Sequence, residues 1–446
     1  MVCVLGAGLA GLSAARDLTL AGRRVIVLES AGSTGGLAES LEVGGTPIER
    51  FYHFLCTGDH DLLDLCAELG ISDAVRWGRG GTAFYFDGRL YGFSGPADLL
   101  RFDPVPLTQR LRFGLNVIRS RYRRSWRSLD RVPAREWLIR QIGRRAYDVI
   151  WHPLLQIKFG DAHERVSAAW IWHRIHRVAR SRRSLLSGEV LGALDYGSAR
   201  VVDALARFVD GHPRAELRLS SPVERVLVDD GRVVGVRVRG LPDTVPCDAV
   251  LSTGALPRLL DVAPDLDAAE RTRFAAVDYL GVVCVLFRLS RRLTGTFWIN
   301  VNDARIPFNG VIEYTALNPH PRFEGSTMLY VPHYLPVDHP RFGYDDDRLR
   351  AESVAGLKLL QPAFDESWIE EMHVSKARHA QAVCTVGFAD LVPDHRTSIP
   401  GLYLTDSTQF YPEDRTLSAA VRLGRTVAGM IDGDLADRGI PPLPTS

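Results

Sequence analysis

The first thirty residues constrain the fold more than any other stretch. Val2 to Leu5 are a short apolar run, long enough for a buried strand. Gly6, Ala7, Gly8, Leu9, Ala10 and Gly11 follow in the spacing GxGxxG, and residues 9–21 read as a helix with small residues on one face. Residues 24–29 form a second apolar strand that ends in Glu29. Joints this tight in a β-α-β order imply a parallel strand pair. Gly6 permits the turn out of the strand, Gly8 lets the backbone approach a pyrophosphate, and Gly11 lets the helix pack closely on the strand. The helix N-terminus offers unpaired N–H groups and positive dipole to phosphates. Glu29, with Ser30 beside it, lies 18 residues past Gly11, where a carboxylate reaches ribose hydroxyls. GxGxxG alone also occurs in glycine-rich turns of other α/β proteins. The strand before it, the helix it opens and the acid after it make a dinucleotide the expectation here.

The same opening is apolar enough to resemble a secretion signal. No basic segment precedes its apolar run, and its glycines fall at the nucleotide spacing, so it is read as part of the fold. No run of 18 uncharged apolar residues occurs, so no transmembrane helix is expected, and cytoplasm is the expected compartment.

At 446 residues the chain is long enough for two intergrown domains, and its 46% hydrophobic and 24% charged content is ordinary for a globular protein. Residues 82–93 alternate around Asp87-Gly88 and predict a hairpin with a type I′ turn; residues 223–239 predict a second, again turning at Asp-Gly. Residues 107–127 and 134–186 read as largely helical, 247–253 and 401–405 as short strands, 279–289 and 310–332 as strand-rich, and 416–433 as a final helix. The tail from Pro441 reads as a loose end. The two ends of the chain thus look like one nucleotide-binding domain with insertions between them. The expected division gives residues 1–80, 201–260 and 391–446 to that domain. Residues 81–200 are then a basic helical part of a substrate domain, and 261–390 its strand-rich part. The expected fold class is α/β: a Rossmann-type domain with an inserted mixed α+β substrate domain.

Charge follows the same division. Residues 101–183 hold 19 arginines and one lysine against six acids, so this segment is +14 and the rest of the chain −13 within a net charge of +1. Solvated arginine-rich helix surfaces account for this. So does an anionic substrate, or peripheral contact with an anionic membrane surface. No nucleic-acid recognition motif accompanies the charge, so no nucleic-acid partner is expected. The six cysteines show no CxxC spacing, which argues against a disulfide scaffold and a zinc site; no metal is expected. Cys3 and Cys284 sit in apolar runs and read as small core residues.

Six residues past Glu29 comes Gly35-Gly36-Leu37. Here the chain resembles the FAD-dependent superfamily of monoamine oxidase, protoporphyrinogen oxidase and phytoene desaturase, whose members share GxGxxGL, an acid, then GGR or a variant. Leu37 stands where arginine is common. Residues 84–100 and 129–160 resemble the middle of protoporphyrinogen-oxidase-like proteins, and 399–424 (IPGLYLTDSTQFYPEDRTLSAAVRLG) resemble the C-terminal FAD motif. The resemblance implies FAD bound in extended form. It puts a backbone group of Val223, in the hairpin Ser221–Val238, at the adenine and Asp406 at the pyrophosphate–ribityl region. Thr416 and Leu417 would face the flavin ring, where a helix N-terminus stabilises negative charge on the reduced ring. A second nucleotide-facing motif about 400 residues after the first suits FAD better than NAD.

The flavin supplies the redox chemistry, and the protein supplies position and electrostatics. By the resemblance, Glu49–His53 passes near the flavin's reactive edge. His53 is a candidate proton carrier near neutral pH, with Tyr52 beside it; both also read as packing residues of a pocket floor. Arg415 or Tyr411 is a candidate to hold an anionic or polar substrate over the flavin. The alternative is that Tyr411–Arg415 is a surface loop whose acids cap the last helix. Lys158, in an apolar setting with Arg174 nearby in sequence, lines a substrate pocket or snorkels to the surface, with the surface preferred. Tyr314 and Tyr330 are further candidates for substrate contact, although such a strand pair more often builds core.

The leading expectation is an FAD-dependent oxidoreductase (oxidase, dehydrogenase or desaturase) passing a hydride from a small or prenyl-like organic substrate to the flavin. Amine oxidation fits less well, because that branch uses an aromatic cage and a lysine-bound water. Tyr411 offers one cage wall, and the local sequence of Lys376 departs from the branch's pattern. His53-Phe54-Leu55-Cys56-Thr57 resembles the flavin-contacting run of UDP-galactopyranose mutase. That implies an alternative, a non-redox mutase acting on a nucleotide sugar. A flavin-binding scaffold without turnover is a third. Nothing in the sequence sets an oligomeric state.

Overall fold

Short strands that are apolar on both faces need cover on both sides. Val2–Leu5, Val25–Leu28 and Ala249–Ser252 are such strands, buried along nearly their whole length. A computed structural model, which describes residues 1–181, 190–323 and 325–443, places them side by side in a five-stranded parallel sheet. Val2 pairs with Val25 on one side and Ala249 on the other; Ala215–Arg218 and Leu402–Leu404 form the two edges. The first helix, Leu9–Leu20, covers one face and packs against the last helix, Leu417–Asp437. That packing is close. A side chain at Gly424 would place its Cβ 2.2 Å from the Ala10 carbonyl oxygen.

Beside this unit stands a seven-stranded sheet. Its order runs from Ile369–Ala382 through Tyr279–Leu289, Thr327–Pro336, Gly310–Glu313, Trp298–Val301 and Thr82–Phe86 to Arg89–Gly92. All pairings are antiparallel except that of Trp298–Val301 with Thr82–Phe86. The helices Pro96–Arg101, Leu107–Tyr122, Ala134–Ile142 and Ala168–Ser181 form a third group, with a shared core that includes Phe113, Leu138 and Ile171. Both predicted hairpins form. Asp87-Gly88 and Asp230-Gly231 take positive φ at both positions, as the tight twist-matching turn requires.

Two expectations change. The stretch 134–186 is not one continuous helical run. It breaks at Gly143 (φ 92°) and Gly160 (φ 52°), left-handed positions that glycine tolerates, with a π turn at Tyr147–Trp151 between them. Its last residues, 182–186, lie outside the described residues, as do Arg182 and Arg183 of the basic segment. The tail is not loose at its start: the Leu443 amide donates to the Gly22 carbonyl at 2.9 Å; tail residues 444–446 lie outside the described residues. Separately, Ile369–Ala382 forms a 14-residue strand for which the sequence offers no local signal, because its run of charged, polar and small residues shows no apolar alternation.

The joint at the first glycines makes a prediction. A Cβ on Gly11 would lie 2.0 Å from the Gly6 carbonyl oxygen, and both atoms belong to backbone that cannot swing away. Gly11→Ala should therefore destabilise the flavin-free protein by roughly 1–3 kcal/mol, read as a lower thermal midpoint. An unchanged midpoint would mean that this packing is not what holds the helix.

Candidate active site

The strand tips and the first helix meet at a cavity of about 390 Å³. Gly6, Gly8, Leu9, Ala10, Leu28, Glu29, Ser30, Gly35, Gly36, Leu37 and Val223 line it, and so do His53, Asp406, Arg415, Thr416 and Leu417. Glu29 is buried and held on both oxygens. One accepts the Ala7 amide at 2.7 Å, the other the Ala31 amide at 2.8 Å and the Ser30 hydroxyl at 3.1 Å. Gly35 donates to the Ala7 carbonyl at 2.8 Å, which brings the double glycine alongside Gly8. Among the described residues no side chain caps the first helix at Gly8, so its first-turn N–H groups are left for whatever fills the cavity. Gly11 lies behind this wall and acts through packing. Asp406 is buried, accepts the Tyr279 hydroxyl at 3.0 Å and the Thr408 amide at 2.7 Å, and its pKa is pushed up by burial. Thr416 caps the last helix by accepting the Ala419 amide at 3.0 Å. These residues fit a dinucleotide: open amides and glycine backbone for phosphates, and a fixed carboxylate for a ribose.

A second cavity, of about 660 Å³, is walled mainly by aromatic and aliphatic side chains, among them Phe54, Phe93, Phe113, Trp151, Trp170 and Trp298. The two cavities share His53, Arg415, Thr416 and Leu417. Around this junction the second cavity carries Lys158, Arg174, Arg177 and Arg415. Arg174 pairs with Asp414 and stacks 5.1 Å from the Trp170 ring; Arg177 pairs with Asp59 at 2.9 Å. Arg415 donates to the Ala380 carbonyl at 3.0 Å and to the Tyr334 hydroxyl at 3.2 Å, and Tyr334 bonds Tyr52 at 3.1 Å. Lys158 has no carboxylate partner among the described residues; its ammonium lies 4.6 Å from the Tyr334 ring and 5.0 Å from that of Trp170. Burial pushes Lys158 down to about 7. Burial pushes Asp414 up, but Arg174, Lys158 and Arg415 outweigh it and hold the carboxyl at about 2. Asp414 is thus ionised.

Several candidates need correction. His53 stands at the junction, but burial and then Arg415 push it down to about 3, so it is neutral rather than a proton carrier near pH 7. Tyr411 lines neither cavity. Its hydroxyl bonds Asp130 at 2.6 Å and Ser167 at 2.8 Å, and its ring packs against Trp126 and Phe388, so it is neither a cage wall nor a substrate clamp. Tyr314 and Tyr330 are core: both are fully buried, and Tyr330 donates to the Glu49 carbonyl at 2.6 Å. Lys158 does not snorkel outward; the apolar residues around it are the cavity wall. The acids of 411–415 do not cap the last helix, because Thr416 does. Sequence reading missed Asp414, Arg177 and Tyr334 as parts of one cluster. They come from distant segments, and no local pattern joins them.

A parallel sheet with a glycine cradle, opening into an apolar cavity at the start of the last helix, defines a two-part flavoprotein. The chain belongs to the family of flavin-containing amine oxidoreductases, whose pattern matches residues 9–431, and its cofactor is FAD. It is 32% identical over 144 residues to the "Putative flavin-containing monoamine oxidase AofH" of Mycobacterium tuberculosis, covering 31% of this chain and 32% of that protein. It is 26% identical over 296 residues to the 15-cis-phytoene desaturase of Synechococcus elongatus, covering 59% and 60%. The chain therefore spans about a third and about three fifths of these two relatives. Its fold superposes on the "Putative protoporphyrinogen oxidase" of Exiguobacterium sp. 255-15 with a TM-score of 0.77 at 18% identity, covering 97% of this chain and 98% of that one. None of these relatives is a mutase. Among the described residues no helix is long and apolar enough to cross a membrane.

Gly8 separates binding from folding. A Cβ there would meet nothing nearer than the Gly35 carbonyl at 3.8 Å, so the space it would occupy belongs to the cavity. Gly8→Val is expected to leave the thermal midpoint of the flavin-free protein nearly unchanged while abolishing FAD uptake, measured as bound flavin per chain. Full flavin content in this variant would place the phosphates elsewhere.

Proposed function

We propose that the protein is an FAD-dependent dehydrogenase or oxidase whose substrate has an extended apolar body and an anionic group. The observation behind this is the charge at the junction of the two cavities: Lys158, Arg174 and Arg415 face one carboxylate, Asp414, within an otherwise apolar wall. Bound flavin supplies the hydride acceptor. The chain's own residues do the positioning. Arg415 and Lys158 fix the anionic group, and Arg415 is itself braced by Ala380 and Tyr334. The aromatic wall excludes water and aligns the apolar body. The N-terminus of the last helix, at Thr416 and Leu417, turns its positive end to the junction, where it favours negative charge. Neutral His53 offers a hydrogen bond rather than a charge. An ammonium substrate meets three cations here, which sets this site against amines despite the family's name. A nucleotide-sugar mutase would need a polar sugar subsite in place of the aromatic wall. Cys3, Cys66, Cys247, Cys284 and Cys384 are buried free thiols, which suits a reducing compartment such as the cytoplasm.

A bleaching experiment tests this. Under anaerobic conditions, a long-chain substrate with a carboxylate or phosphate should reduce the bound flavin faster than its matched amine. Faster bleaching by the amine would overturn the assignment.

Lys158 adds a pH signature. Its charged form predominates below about pH 7 and its neutral form above. Affinity for the anionic substrate should therefore fall as pH rises through 7. Lys158→Met should remove this pH dependence and weaken binding at pH 6 by roughly 2 kcal/mol or more. A wild-type profile that is flat between pH 6 and 8 would exclude the role.

A further inference from the structure

Helix Leu107–Tyr122 is two-faced in an unusual way. Its inner face helps wall the apolar cavity through Phe113, Gly114 and Val117. Its outer face exposes Leu107 (52%), Leu111 (58%), Leu115 (44%), Ile118 (37%) and Tyr122 (67%). Steps of four, four, three and four residues put these side chains in one ridge, about 22 Å long at helical rise. Leu100, half exposed, extends the apolar surface on the preceding helix, Pro96–Arg101. Arginines flank the ridge on both sides, Arg112 and Arg119 on one and Arg110 and Arg121 on the other, and the helix holds no acid. Residues 96–124 hold seven arginines and two aspartates. Among the described residues neither Arg112 nor Arg119 pairs with a carboxylate; Arg112 reaches only the Arg140 and Gln141 carbonyls.

We propose that this ridge docks the protein on an anionic phospholipid bilayer, with the leucines in the acyl boundary and the flanking arginines on headgroup phosphates. A row of apolar side chains bounded on both sides by one sign of charge matches a bilayer interface, whose charge is uniform and whose depth is apolar. Ile118 adds continuity: it is exposed on the ridge and also lines the cavity. A docked ridge therefore puts the cavity wall against the source of an apolar substrate. The surface proposal stands on the ridge and does not depend on the reaction assigned above.

Flavin-loaded protein is sedimented with phosphatidylcholine vesicles, with and without phosphatidylglycerol. Binding is expected with the anionic vesicles and should weaken as ionic strength rises and the Debye length shrinks. Leu111→Asp/Leu115→Asp, at positions outside the cavity wall, should lose at least tenfold in vesicle affinity with unchanged flavin content and thermal midpoint. Arg112→Ser/Arg119→Ser should weaken binding selectively to the anionic vesicles. Wild-type protein that stays in the supernatant overturns the proposal, as does wild-type affinity in the leucine variant. Size-exclusion chromatography covers the protein-partner outcome: a dimer that the leucine variant splits, without vesicle binding by the wild type, makes the ridge a subunit contact and also overturns it.

Discussion

The cofactor site depends on how closely the first helix can approach the strand before it. Gly11 has no room for a side chain against the Gly6 carbonyl, and Gly424 has none against Ala10. These two contacts clamp the first helix between the sheet and the last helix. The first helix N-terminus is thereby fixed over the strand tips, where Glu29 holds the Ala7 amide. The last helix is fixed by the same packing, and its capped N-terminus at Thr416 reaches the opposite part of the cavity lining. Residues at two helix N-termini, from opposite ends of the chain, thus line one cavity.

What lies beyond the cradle is governed by uneven charge. Four buried or half-buried cations meet at an apolar cavity that holds Asp414 and, behind Arg177, Asp59. Burying charge is costly unless it is paired. Lys158 shows that cost as a depressed pKa, and aromatic faces give it only partial compensation. The anionic group of the proposed substrate would supply the missing partner, and the aromatic wall would supply a place for the rest of it.

The cradle was legible in the sequence because its parts are neighbours: strand, glycines, helix and acid fit within thirty residues. The hairpins were legible because Asp-Gly at a two-residue turn needs two positive φ angles. The cationic junction was not, because Lys158, Arg174 and Asp414 lie on three separate elements and each has an ordinary local reading. Tyr411 misled for the same reason. It sits three residues before Asp414, yet its hydroxyl turns back to Asp130, more than 280 residues away in sequence. Proximity in sequence predicts which loop a residue is on, and packing decides which way it faces.

The most direct test of the account is a crystal structure with FAD bound. The flavin ring should lie at the junction of the two cavities, in contact with His53 and with the helix start at Thr416–Leu417, and with the ribose carboxylate contact made by Glu29. A flavin ring placed away from His53 and Arg415, or a cofactor whose ribose does not meet Glu29, would contradict the account.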